Sequence, residues 1–169
     1  MDFLDIGGGF TLIFPDTGKN FDEVAPMIGN LLDEIFPEPN IRIIAEPGRY
    51  VVESVVYMAS KIIGSKIMKS GDRHYYVNNG IYQGYTVRIF GEEQYLGPLD
   101  RAIESRPSHN TTWWGQTCDS SDWIIKNKKH PEYKNGEWII TRDFGAYNVD
   151  LVCQFNGFII PERIYLKDF

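Results

Sequence analysis

Leu4-Asp5-Ile6-Gly7-Gly8-Gly9-Phe10 and Arg42-Ile43-Ile44-Ala45-Glu46-Pro47-Gly48-Arg49 are the stretches whose reading decides the fold. Each is a short apolar strand that runs into a loop suited to holding a phosphate. Three consecutive glycines let backbone N–H groups approach an anion without side-chain obstruction. The second loop ends in Arg49, whose planar fork matches phosphate geometry. Between them, Val24, Ile28, Leu31, Leu32 and Ile35 recur at helical spacing and predict a helix over residues 21–36. Asp22 and Glu23 suit its first turn, Pro26 lies near enough to its start to be tolerated, and Pro37 and Pro39 end it. Strand, loop, helix, strand and loop make a βαβ unit, whose two strands should run parallel. In α/β barrels a phosphate site commonly sits on the loops after the last two strands.

Outward from this unit the pattern changes. Val52, Val55, Val56, Ala59, Ile62 and Ile63 predict a further helix over residues 51–63. Beyond about Ile67, short alternating runs take over, at residues 74–82, 85–90, 137–142, 146–155 and 158–166. The fold class read from this is α/β plus β. Residues 1–66 supply barrel-type βα units, and residues 67–169 form a β domain, as a sandwich with Greek-key-like connections or a partly open barrel.

Composition narrows the functional classes. A chain of 169 residues is too short for a complete eight-stranded α/β barrel, which takes about 250. A net charge of -6 argues against nucleic acid or an anionic membrane as partner. No apolar run reaches the roughly 20 residues of a membrane span. Cys118 and Cys153 have no metal or redox spacing, and His74, His109 and His130 are scattered singly, so no metal site is expected. The chain reads as cytoplasmic with free thiols.

Five motifs occur in order: LDIGGGF, AEPGRY, WGQTCDSSD, DFGAYNV and FNGF. On them the chain resembles the eukaryotic ornithine decarboxylase family, pyridoxal-phosphate enzymes with an alanine-racemase-like barrel, and it resembles their C-terminal portion. The resemblance implies a pyridoxal 5'-phosphate cofactor and the last two βα units of a (β/α)8 barrel, followed by the C-terminal β domain. It implies that Gly7, Gly8, Gly9, Arg49 and Tyr147 hold the phosphate, with Pro47 and Gly48 shaping the second loop. Glu46 would face the pyridine nitrogen of the cofactor. Cys118 would be the proton donor, Asp119 would meet the distal amine of a diamino-acid substrate, and Phe155 would border the pocket. A homodimer with shared active sites follows from the same resemblance. On the residues alone, a thiol flanked by Asp119 and Asp122 is better placed as a proton-carrying acid than as a nucleophile.

Three features depart from the family pattern. No lysine here has the context of the lysine that forms the Schiff base; Lys61 and Lys66 read as solvated. Phe90 and Gly91 stand where the family has a Tyr-Asp pair contacting substrate, with Glu92 or Glu93 as candidate substitutes. Asn79 replaces an aspartate. The expectation is a fragment of a longer decarboxylase acting on ornithine or a related diamino acid to give putrescine. The alternative is an antizyme-inhibitor-like binding protein.

Overall fold

The computed structural model describes residues 1–167 except Pro15 and Glu93; the suggested role of Glu93 therefore lies outside the described residues. The chain divides into two compact units, Met1–Val56 and Tyr57–Phe169.

In the first unit, β1 (Phe3–Asp5) pairs with β2 (Arg42–Ile44) in parallel, as the βαβ reading requires. The intervening α1 (Phe21–Ile35) starts on a capping box: the Asn20 side chain accepts from the Glu23 N–H, and the Glu23 carboxylate accepts from the Asn20 N–H. The apolar stripe of α1 is present, yet none of its residues is buried. After β2 comes a five-residue helix, α2 (Gly48–Val52), continued by one 3-10 turn, Glu53–Val55.

The helix expected over residues 51–63 ends there. Met58–Ile67 is instead a ten-residue strand, β3, with Met58, Ser60 and Ile62 buried and the residues between them exposed. Its apolar residues, Met58, Ala59, Ile62, Ile63 and Ile67, keep a helical spacing, and the buried face of the strand includes the polar Ser60. Pairing on both edges decides for the strand: β4 (Arg73–Val77) lies on one side and β8 (Trp138–Thr141) on the other, both antiparallel. The two compact units accordingly meet at Val56/Tyr57.

The second unit holds one six-stranded mixed sheet in the order β5-β8-β3-β4-β6-β7, with β5 at Leu96–Pro98, β6 at Ser108–Trp114 and β7 at Trp123–Pro131. Of the two expected forms, a sandwich and a partly open barrel, the single curled mixed sheet answers to the second. The β4–β6 pair is parallel, so the connection between them is long and carries two short 3-10 turns before β5. Residues 85–90, expected as a strand, form one of these turns (Thr86–Phe90); the other is Ile81–Gln83. Residues 146–151 are turns and a bend, 152–154 are irregular, Phe155–Gly157 is a 3-10 turn, and 158–167 have no regular strand. Short apolar runs do not distinguish a strand from a tight turn without a neighbour to pair with. The core gathers Tyr75, Trp113 and Tyr133, with ring centroids 4.6 Å (Tyr75–Trp113) and 5.1 Å (Trp113–Tyr133) apart, and the Tyr133 N–H donates to the buried Tyr75 hydroxyl.

Candidate active site

In the first unit, the loops after β1 and β2 are joined through the backbone. The Glu46 N–H donates to the Gly7 carbonyl at 2.7 Å, and the Gly7 N–H donates to Asp5 Oδ1 at 2.8 Å. Asp5 is thus a satisfied polar group at the end of its strand. Gly7 and Gly9 have φ of 69° and 80°, and a Cβ on Gly8 would collide with the Glu46 carbonyl oxygen. Among the described residues, no chain acceptor takes the exposed N–H groups of Gly8 and Gly9. Glu46 is likewise exposed, just beyond the C-terminal end of β2. Pro47 caps the short helix, and the Gly48 N–H closes the turn onto the Glu46 carbonyl at 2.8 Å.

Arg49 is less free than its position in the motif suggests. Its Nη1 lies 3.3 Å from Glu53 Oε1, with both side chains largely buried. Glu53 also accepts from Thr11 Oγ1 at 2.9 Å and from the Leu12 N–H at 3.0 Å. This glutamate fastens the segment after the glycines to the arginine helix. Sequence reasoning passed over it, although a lone acid inside Val51-Val52-Glu53-Ser54-Val55-Val56 was a visible signal.

In the second unit, Cys118 and Asp119 sit on the loop between β6 and β7. The buried Asp122 forms the base of this loop. Its carboxylate accepts from the Ile81 N–H (2.9 Å), the Thr117 N–H (3.0 Å) and the Thr117 hydroxyl (2.7 Å). Gly80 and Gly115 leave it room, since a Cβ on either would strike it.

Asp119 accepts from the Tyr82 hydroxyl and from the Ser121 N–H, the latter at 2.8 Å. The Tyr82 bond, followed by that of Ser121, holds its carboxyl below the usual range. The same bond pushes the Tyr82 phenol up to about 12. Both shifts favour one state, with an ionised Asp119 and a protonated Tyr82.

Tyr82 stacks on Phe155 with centroids 4.1 Å apart, and the Asn156 side-chain amide donates to Cys118 Sγ at 3.2 Å. Cys118 itself is exposed. The structure therefore groups Cys118, Asp119 and Phe155, and adds Tyr82 and Asn156, which sequence reasoning missed. Tyr82 joins through a contact spanning 37 residues, which no local motif announces. Tyr147 stands on a turn, not in the expected strand, with φ of 59° and 56% exposure.

Among the described residues, no cluster of three or more His, Cys, Asp or Glu could hold a metal ion, and no helix is long and apolar enough to cross a membrane.

Comparison with known proteins bears on both units. Residues 1–53 match the pyridoxal binding domain of pyridoxal-dependent decarboxylases, and residues 49–145 match their C-terminal sheet domain. The ornithine decarboxylase of Cricetulus griseus is 35% identical over 182 aligned residues, covering 98% of this chain and 39% of the relative. The antizyme inhibitor 2 of Xenopus laevis is 35% identical over 172 residues, covering 94% of this chain and 37% of that protein. Among solved structures, a lysine/ornithine decarboxylase from Vibrio vulnificus complexed with cadaverine superposes with a TM-score of 0.81 at 28% identity, over 99% of this chain and 45% of that one. An arginine decarboxylase from Paramecium bursaria Chlorella virus gives a TM-score of 0.79 at 31% identity, over 92% and 42%. The chain thus spans about two-fifths of the length of the curated relatives it matches.

Pyridoxal phosphate is the cofactor these matches support, and the residues present fit it. The glycine loop offers open N–H groups and no side chain, as a phosphate needs, while the exposed Glu46 suits a protonated ring nitrogen. Since the sheet-domain match alone covers more than half of its residues, this chain belongs to the pyridoxal-dependent decarboxylase family.

Proposed function

We propose that this chain forms part of a pyridoxal-phosphate-dependent decarboxylase acting on ornithine or a related basic diamino acid to give putrescine or its homologue. The observation that carries this reading is the loop presenting an accessible Cys118 thiol beside an Asp119 carboxylate held ionised by Tyr82.

In this reading the α-carboxyl group leaves as carbon dioxide, and the α-carbon takes a proton in its place. The bound cofactor supplies the sink for the electron pair left on that carbon. Glu46 keeps the ring nitrogen protonated. The N–H groups of Gly8 and Gly9, with Arg49 and Tyr147, hold the phosphate, and Gly7, its N–H on Asp5, shapes the cradle. The Cys118 thiol gives its proton to the α-carbon. Asp119 receives the distal ammonium as an ion pair, and Phe155 walls the pocket. Active sites are shared across a cytoplasmic homodimer. No lysine of this chain has the context of the family's cofactor-anchoring lysine, so turnover belongs to a polypeptide that supplies one.

The test begins with the intact mass of the native polypeptide. A mass well above 19.5 kDa leads to assay of carboxyl-labelled ornithine, lysine and arginine on the native protein. Release of labelled carbon dioxide, with normal protonation lost in Cys118→Ala, is the expected result. No release from any of the three overturns the enzymatic reading.

The second reading is a non-catalytic, antizyme-inhibitor-like binding protein. Phe90 and Gly91 in place of the family's Tyr-Asp pair favour it, as does the likeness to antizyme inhibitor 2. Failure to capture antizyme in a pull-down removes it.

A further inference from the structure

The Cys118–Asp119 loop is gripped at two places. Asp122 holds its base from the inside. On its outer side lies Arg88, carried by the 3-10 turn Thr86–Phe90. Arg88 Nη2 donates to the Ser121 carbonyl at 2.6 Å, a charge-assisted bond. Its guanidinium carbon lies 4.1 Å from the centroid of the ring of Trp123, the first residue of β7. Lys126 Nζ lies 4.3 Å from the centroid of the same ring, so two cations share one aromatic platform. Arg88 Nε is buried and, among the described residues, has no hydrogen-bond partner. The stack and the single bond to Ser121 therefore fix where the group sits.

We propose that Arg88 is a positioning residue: it ties the 86–90 turn to the 117–122 loop, so that Phe90-Gly91 and Cys118-Asp119 are presented as one body. The first pair stands where the family pattern has a substrate contact, and the second carries the proposed proton donor and amine acceptor. The importance of this coupling for substrate rests on the decarboxylase reading; the mechanical link does not. A planar, permanently charged fork is required at position 88, because a lysine there keeps the charge but loses the face-on stack. The Asp119 carboxyl is lowered first by the Tyr82 hydroxyl, then by the Ser121 N–H, is raised by partial burial, and is lowered further by the Ser121 side chain and, least, by the Arg88 charge.

The test is made on the full chain and needs no turnover. In Arg88→Met, the hydrogen-bonded amides of Thr117, Ser121 and Asp122 should exchange about tenfold faster, as expected for loss of one charge-assisted bond. The amides of Trp113 and Ile125, inside the sheet, should keep their protection. The Asp119 carboxyl, followed by carbon NMR, should titrate higher in Arg88→Met. Arg88→Lys should restore that titration while leaving the loop amides less protected than in the unaltered chain. If Arg88→Met does not fold, Trp123→Leu removes the platform and keeps the arginine, and loop exchange should again rise several-fold.

Loop exchange and Asp119 titration both unchanged in Arg88→Met overturn the proposal, as does unchanged exchange in Trp123→Leu. A native protein that decarboxylates nothing yet shows the loop response sinks only the functional reading. An active enzyme with an indifferent loop sinks only this one.

Discussion

The two units set their candidate site residues on different foundations. In the second, the Cys118–Asp119 loop grows from the end of a sheet whose core contains Trp113, Tyr75 and Ile139, each at most 1% exposed. In the first, among the described residues of 1–56, the only buried residue is a glutamate, Glu53. The glycine loop thus hangs on backbone bonds, the Glu53 hub and the half-buried Phe10–Phe21–Tyr50 contacts, while the thiol loop has a carboxylate hub of its own, Asp122, set on a hydrophobic core. The difference teaches where each cluster is vulnerable. Loss of one carboxylate, Glu53 or Asp122, threatens either cluster, whereas packing defects in a buried core threaten the second alone.

Four measurements would break or sharpen this contrast. Trp113→Ala should cost the second unit about 3–5 kcal/mol in chemical denaturation, the usual range for deleting a buried tryptophan. A cost under about 1 kcal/mol would mean that the sheet core does not carry that unit. Glu53→Gln should cost about 1–3 kcal/mol locally, read as faster exchange of the Leu12 amide, with the Trp113 amide unaffected. An unchanged Leu12 amide would deny the hub its role.

Asp119→Asn should let the Tyr82 phenol fall from about 12 toward its ordinary value of 10.0, followed by phenolate absorbance. The sign follows from linkage. With the phenol raised in the folded state, its contribution to stability is complete below the ordinary 10.0 and disappears as pH rises through about 12. In Asp119→Asn that window closes. A phenol that still titrates near 12 would assign the shift to burial instead. Smallest of all, Leu31→Ala, at a position 54% exposed, should cost under about 1 kcal/mol, in keeping with a helix that buries none of its residues. A larger cost would reveal packing that the contrast denies.

What the sequence made legible follows the same division. The βαβ unit could be read because its signals are local: a helical apolar period, a proline stop and glycines at a strand end. The parallel pairing of β1 and β2 then followed from topology. β3 could not be read so simply, because Met58, Ala59, Ile62 and Ile63 keep a helical spacing and one of its partners, Trp138–Thr141, lies far along the chain. The runs at 85–90 and 146–155 alternate like strands but find no strand to pair with. Cys118, Asp119 and Phe155 were nominated by their motifs, and the fold brings them into one neighbourhood. Tyr82 and Glu53 were not, since each owes its role to a distant partner.

The three glycines after β1 look interchangeable as letters, but they obey two different grammars of replacement. At Gly7 and Gly9 the constraint is handedness: the space around an added Cβ is open, and only the left-handed backbone resists it. A saturation library should therefore recover asparagine there, the residue that best tolerates that conformation after glycine. At Gly8 the constraint is occupancy by the carbonyl of the neighbouring loop, which no choice of side chain relieves. The middle letter should return from such a library unchanged, and its invariance would record the close approach of two strand ends, not any chemistry of its own.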